Sequence, residues 1–285
     1  MNMIVTKIIS KLNTSTSGVI TVGIAGGSGS GKSFTSKKIG NLLKKNRIDV
    51  AIINQDDFSI GKNFKGKHTS KYKWDDPDNY RIDECVIALK KLIDGESVDI
   101  LAYTLKDHMP SAQKTVEFKN NNLRRVIIIE GIFAWYGKLE SLVDYKIFLD
   151  VDFFRRFILR LNRNVNEIKN TDFNTVVSQY FGSVARADID IISPMKHSAD
   201  KVIKRKVDFN DLGKYLIKSN KVNNAYNSLF PIYRDVDSSI IVYTDLGSMY
   251  MRVDIYGDTL FDEKLTIDNI ELLKNENIIN FSAVS

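Results

Sequence analysis

The stretch Gly26-Gly-Ser-Gly-Ser-Gly-Lys32-Ser33 follows the pattern G-x-x-x-x-G-K-[ST], and no other part of the chain limits its fold so sharply. Such a loop grips an anion because glycines let the backbone curl until successive N–H groups point at one phosphate, while the helix that follows adds its positive end. The pattern has this meaning only between a strand and a helix. Both flanks are legible. Val19–Ala25 is a β-rich apolar run of the length of a buried parallel strand. Phe34 to Lys45 places Ile39, Leu42 and Leu43 on the inner side of a helix. Gly26, Gly27, Ser28, Gly29, Ser30 and Gly31 form the cradle, with Phe34 counted among the nucleotide contacts at the start of the helix. Lys32 is expected to reach the terminal phosphates of ATP (or GTP), and Ser33 to offer its hydroxyl to Mg²⁺.

The same periodicities continue along the chain. Asp49–Asn54 reads as a second buried strand, Val126–Ile129 as a third and Tyr145–Leu149 as a fourth. Between them Asn79–Asp94 reads as a helix with Ile82, Val86, Leu89 and Ile93 on one face and Gly95 as its stop. Strands alternating with helices predict an α/β fold, a parallel sheet covered on both faces. Ser59–Lys73 is polar and lysine-rich and reads as an exposed excursion. Near Lys206 the pattern changes to a helix around Leu212–Ser219, and then Ile240–Thr244 and Met249–Ile255 joined as a β-hairpin by Asp245-Leu-Gly-Ser. The expected division is a lead-in helix at 1–18, a catalytic domain at 19–206 and a small α+β extension at 207–285.

Composition excludes more than it selects. In 285 residues, hydrophobic side chains make up 43% and charged ones 27%, which rules out collagen-like, disordered and membrane classes. A single cysteine, Cys85, permits no internal disulfide and suits a reducing compartment. The lead-in helix is interrupted by Lys7 and Lys11 and is too short for a membrane span. The expectation is a cytoplasmic protein without membrane or nucleic-acid partners, since the net charge of +6 comes with no recognition motif.

Two acids belong with the cradle. Glu130 closes the run Arg124–Glu130, and an acid at the C-terminal end of an apolar strand stands where α/β sheets bind ligands and can hold Mg²⁺ directly or through water. Asp56 follows the second strand. Phosphoryl transfer needs a carboxylate to orient the attacking hydroxyl and take its late proton. Asp57 is adjacent, and periodicity does not separate the two.

Taken in order, these residues resemble the uridine kinase branch of the phosphoribulokinase/uridine kinase family, a P-loop NTPase fold. Gly23-Ile-Ala-Gly-Gly-Ser-Gly-Ser-Gly-Lys32 is similar to its cradle, Gln55-Asp-Asp-Phe58 to its Gln-Asp-Ser-Phe, and Trp74-Asp-Asp-Pro-Asp78 to its Phe-Asp-His-Pro-Asp. Tyr103 and His108 keep the spacing of its Tyr-Asp-Phe-x-x-His, and Glu130-Gly-Ile-Phe133, Ser178-Gln-Tyr180 and Ser198-Ala-Asp200 also match. The resemblance implies transfer of phosphate from ATP to the 5′-hydroxyl of uridine, and of cytidine, in pyrimidine salvage, by a homo-oligomer. It implies that Asp56 is the base, that Asp75 holds ribose hydroxyls, and that Tyr103, His108, Arg160 and Gln179 line the nucleoside pocket.

Arg156, Arg160 and Arg163 recur at i, i+4 and i+7 and share a helix face. In a kinase of this shape that helix leads into a lid, with Arg163 on ATP phosphates and Arg160 toward the nucleoside. The chain departs from the family where Ser59 replaces tyrosine, where Thr104-Leu105 replaces Asp-Phe, and where the arginine-rich lid reads Asn164-Val-Asn-Glu-Ile-Lys-Asn170. Alternative readings are a P-loop kinase of another hydroxyl substrate (a sugar phosphate, pantothenate or nicotinamide riboside) and a nucleotide-binding protein without turnover.

Overall fold

Alternation along Asp49–Asn54 decides how the first unit is layered. In the computed structural model this run is strand β2, following β1 (Val19–Ala25), and the central sheet is completed by β5 (Arg125–Glu130), β6 (Tyr145–Val151) and β7 (Lys201–Arg205). Between β2 and β5 come β3 (Val98–Thr104) and β4 (Met109–Val116), an antiparallel pair outside that sheet. The structure describes residues 1–60, 74–104, 109–119, 124–151, 156–157, 159–160, 163–164, 176, 179–205, 232–234, 239–242, 251–254 and 259–261. The chain divides into one unit of Met1–Asp150 with Ala187–Lys204 and a second of Val151–Arg186 with Arg205–Ser285.

In the first unit the sheet runs β2-β5-β1-β6-β7, with β2 and β5, β5 and β1, and β1 and β6 parallel. Helix α1 is Asn2–Thr14, α2 is Lys32–Lys45 and α3 is Ile82–Ile93. Successive strand residues point to opposite faces, and the two helices after the loop divide those faces between them. Val50, Ile52 and Ile128 close around Gly40 of α2, while Ala51, Ile53, Ile127 and Ile129 join the core cluster with Leu89 and Leu92 of α3. Each fully buried leucine contributes about 1.5–3 kcal/mol through the area it removes from water. This is the predicted two-faced α/β sheet, the core of a P-loop NTPase. Helix α1 buries Ile4, Val5, Ile8 and Leu12, and Lys11 reaches the carbonyl of Asp144 at 3.0 Å.

Helix α3 starts later than the sequence pattern suggests. Asp76 caps a 3₁₀ turn at Pro77–Asn79, and Tyr80 is extended in an antiparallel bridge with Ser59, so helical geometry begins only at Ile82. Its buried face also differs from the expected one. Cys85, Ala88, Leu89 and Leu92 are buried, at i, i+3, i+4 and i+7, and Ile82, Val86 and Ile93 are partly buried beside that stripe. Burial pushes the Cys85 thiol up to about 12, which keeps it inert.

The second unit holds a four-stranded antiparallel sheet in the order β11-β10-β9-β8, from β8 (Ile232–Arg234), β9 (Ser239–Val242), β10 (Met251–Asp254) and β11 (Thr259–Phe261). Pairing of β9 with β10, Met251 opposite Val242, bears out the predicted hairpin. The predicted helix at 212–219 and the excursion at 61–73 lie outside the described residues. Among the described residues no helix is long and apolar enough to cross a membrane.

Candidate active site

The register of three strands creates the site. Ile24 of β1 stands beside Glu130 of β5, and Glu130 beside Asn54 of β2, so all three strands end on one row. Whatever follows each strand therefore emerges at the same edge: the glycine loop after β1, Glu130 and Gly131 at the end of β5, and Gln55–Phe58 after β2. A ligand mouth at the carboxyl ends of parallel strands is the general position in open α/β sheets.

The loop is shaped as a cradle. Gly26 has φ +146°, and a Cβ there would lie 2.6 Å from the carbonyl oxygen of Leu149, so a side chain meets both conformational and steric refusal. Lys32 Nζ donates to the carbonyls of Gly26 at 3.0 Å and Gly27 at 3.2 Å, which holds the ammonium at the loop. Ser30 is buried within it. Phe34, in the first turn of α2, is 62% exposed, with Lys38 Nζ 5.8 Å from its ring centre.

Glu130 is the electrostatic centre of the edge. Burial raises its carboxyl above the ordinary 4.5, Lys32 pulls it down, Asp56 raises it, a hydrogen bond from the Ser33 side chain lowers it, and Asp57 raises it again. Lys32, Ser33, Asp56 and Asp57 thus all act on the Glu130 carboxyl. The donor set fits a hard cation: a hydroxyl and carboxylates, all oxygen. Among the described residues no three His, Cys, Asp or Glu side chains form a metal cage, and Mg²⁺ needs none, since it keeps waters and phosphate oxygens as ligands.

Folding favours protonated Glu130, so the stability linked to it is complete below pH 4.5 and is lost as pH rises through the folded-state value. Glu130→Gln, which stays neutral, should therefore melt above the wild type at pH 8 without nucleotide or divalent cation, and the gap should close toward pH 4.5. Thermal melts across that range check this. A variant melting lower at pH 8 would show that the carboxylate is held by compensating partners.

The structure separates the two aspartates that the sequence leaves together. Asp57 is buried, with Oδ1 accepting the Tyr103 amide at 2.8 Å and Oδ2 accepting Lys114 Nζ at 2.7 Å. Asp56 is half-buried. Its amide donates to Asn54 Oδ1 at 3.2 Å, and its own Oδ1 accepts Tyr80 Oη at 3.4 Å. Asp57 is thus tied to the β3–β4 pair, whereas Asp56 meets the Tyr80 hydroxyl and acts on the Glu130 carboxyl.

The sequence profile of the phosphoribulokinase/uridine kinase family matches residues 21–211. The chain belongs to this family. A uridine kinase from Macrococcus caseolyticus is 35% identical over 185 residues, 64% of this chain and 86% of that protein. The chloroplastic uridine/cytidine kinase of Arabidopsis thaliana is 31% identical over 186 residues. That alignment takes in 65% of this chain but only 37% of the plant protein, so the chain spans well under half of that relative's length. Phosphoribulokinase from Rhodobacter spheroides shares the fold, with a TM-score of 0.50 at 11% identity over 81% of each chain.

Among the other candidates for this family's site, Asp75 has φ +59°, a left-handed backbone unusual for any residue but glycine, and aspartate is among those that tolerate it. Tyr103 is half-buried in β3. His108 lies outside the described residues. Arg160, Arg163 and Gln179 belong to the second unit. There Arg156 and Arg160 are buried and Arg163 half-buried, so the three-arginine face is not a solvated one. Arg156 Nε donates to the Val151 carbonyl at 2.9 Å and Arg163 Nε to Asn164 Oδ1 at 3.2 Å. Gln179 is buried, and its Oε1 has no hydrogen-bond partner among the described residues.

Sequence reasoning missed Gln55. Its Nε2 donates to the Phe133 carbonyl at 2.9 Å and its Oε1 accepts the Phe133 amide at 2.8 Å, so one buried amide staples the end of β2 to the turn after β5. That staple fixes the spacing between Asp56 and Glu130. A glutamine at the C-terminal end of an apolar strand, where buried amides need paired partners, is the signal that was available.

Proposed function

We propose that this chain transfers the terminal phosphoryl group of ATP, or of GTP, to the 5′-hydroxyl of uridine, and of cytidine, yielding the 5′-monophosphate. The observation that carries this is the gathering of Lys32, Ser33, Glu130 and Asp56 at one sheet edge, in a chain of this family. Asp56 orients the nucleoside hydroxyl and accepts its proton as the bond to phosphorus forms. The loop amides of Gly26–Ser33 and Lys32 bind the phosphate tail and offset its growing charge. Ser33 and Glu130 would hold Mg²⁺, which when bound neutralises phosphate oxygens. Asp75 accepts from the ribose hydroxyls and Tyr103 offers a flat face to the pyrimidine, and the family resemblance adds His108, Arg160 and Gln179 as nucleoside contacts. Arg163 and Phe34 join the ATP contacts. The catalytic core is taken as 19–206 after the lead-in helix at 1–18, with 207–285 appended, in a cytoplasmic homo-oligomer.

The test is nucleotide release from the purified chain with Mg-ATP and a panel of uridine, cytidine, a sugar phosphate, pantothenate and nicotinamide riboside. ADP release that depends on uridine or cytidine is expected; dependence on another acceptor alone sinks the proposal. Asp75→Ala should raise the uridine KM by roughly 10–100-fold and shrink the preference for uridine over 2′-deoxyuridine, because the site would no longer demand a ribose hydroxyl. Steady-state kinetics on both nucleosides measures this, and an unaltered preference would remove Asp75 from the ribose.

A further inference from the structure

The phosphate chemistry leaves one buried carboxylate at the edge unused. Asp57 is 2% exposed, and its two oxygens reach different parts of the β3–β4 hairpin, the amide of Tyr103 at 2.8 Å and Nζ of Lys114 at 2.7 Å. Its backbone carbonyl also accepts Arg81 Nη2 at 3.3 Å. Position 57 carries serine in the family segment that Gln55–Phe58 resembles. An aspartate buried there needs a cation, and Lys114, with its side chain 35% exposed, provides one from the facing strand.

The attachment point is informative. Pairing of β3 with β4 runs regularly from Val98–Val116 to Ala102–Ala112 and then slips between Ala102 and Tyr103. Tyr103 thus sits where the ladder alone does not fix its position. Asp57 binds the chain on both sides of that slip, at Tyr103 itself and at Lys114 opposite Ile100. Asp57 is also the residue next to Asp56. We propose that the Asp57–Lys114 pair is a positioning clamp that sets where Tyr103 stands relative to Asp56, and so how the nucleoside base is held while its hydroxyl meets the base catalyst. This rests on the reading of Tyr103 as a nucleoside contact.

Three variants of the full chain test it: Lys114→Met, Asp57→Ser, and the double variant, which leaves no unpaired buried charge. Two readouts are needed, hydrogen exchange at the Tyr103 amide and steady-state kinetics for both substrates. Exchange should accelerate about tenfold or more in all three, as the amide loses its anchored acceptor. Lys114→Met should melt roughly 5–10 °C lower because Asp57 is left without its cation, and the double variant should recover most of that. In the double variant the uridine KM should rise about tenfold while kcat and the ATP KM stay within about twofold, the signature of lost substrate positioning. Unchanged exchange overturns the clamp whatever the substrate is. Faster exchange with uridine KM, ATP KM and kcat shifted alike makes the pair a structural strut and overturns the positioning role. A wild-type chain without nucleoside-dependent turnover defeats the functional reading separately, and the role toward the nucleoside falls with it.

Discussion

Asp56→Asn should lower kcat by about a hundredfold to ten-thousandfold while the ATP affinity changes little. Asparagine keeps the shape of the side chain and can still accept from Tyr80 Oη, which lies 3.4 Å from Asp56 Oδ1. What it cannot do is take a proton from an attacking hydroxyl. The fold should tolerate the change well, because Asp56 raises the Glu130 carboxyl and removing its charge relieves that repulsion. The melting temperature at neutral pH should therefore stay level or rise. Turnover and melting measured on the same preparation separate the lost base from a damaged fold. If Asp57→Asn abolished turnover while Asp56→Asn left it intact, the catalytic assignment would move by one residue.

Gly131→Ala should destabilise the chain by roughly 2–5 kcal/mol, combining overpacking with a broken buried hydrogen-bond pair. An added Cβ at Gly131 would fall onto Gln55, against its Oε1 and Cβ. Gln55 is fully buried and held at both ends by the Phe133 backbone, so it has no open direction in which to retreat without giving up those bonds. The corresponding drop in melting temperature is roughly 5–15 °C. Turnover should fall too, since Gln55 fixes the spacing between the ends of β2 and β5. Calorimetry with kinetics below the transition reads both effects. A melting temperature within about two degrees of wild type would mean that Gln55 swings aside and the staple is dispensable.

The parts of this architecture legible in the sequence are those whose signal is local. Asp49–Asn54 was recovered to the residue because a strand buried on both faces is a continuous apolar run. The cradle was recovered because its glycines, lysine and serine are consecutive. The β3–β4 hairpin escaped because an exposed Leu101 and a half-buried Lys114 opposite Ile100 break its alternation, and a strand pair beside a sheet carries a weaker apolar signal than one inside it. What separates Asp56 from Asp57 was out of reach for another reason. The lysine that claims Asp57 is 57 residues away, and the turn that Gln55 staples is 78 residues away. Arg156 and Arg160 show the same limit: three cations on a helix face look solvated until the chain folds around them.

The most direct test of the central claim is to identify the product formed from uridine and Mg-ATP by phosphorus NMR. The account predicts a monoester phosphorus coupled to the two C5′ protons of uridine, absent when Asp56→Asn replaces the wild type. A wild-type chain that binds ATP yet forms no such ester, or that esterifies a different hydroxyl, would contradict it.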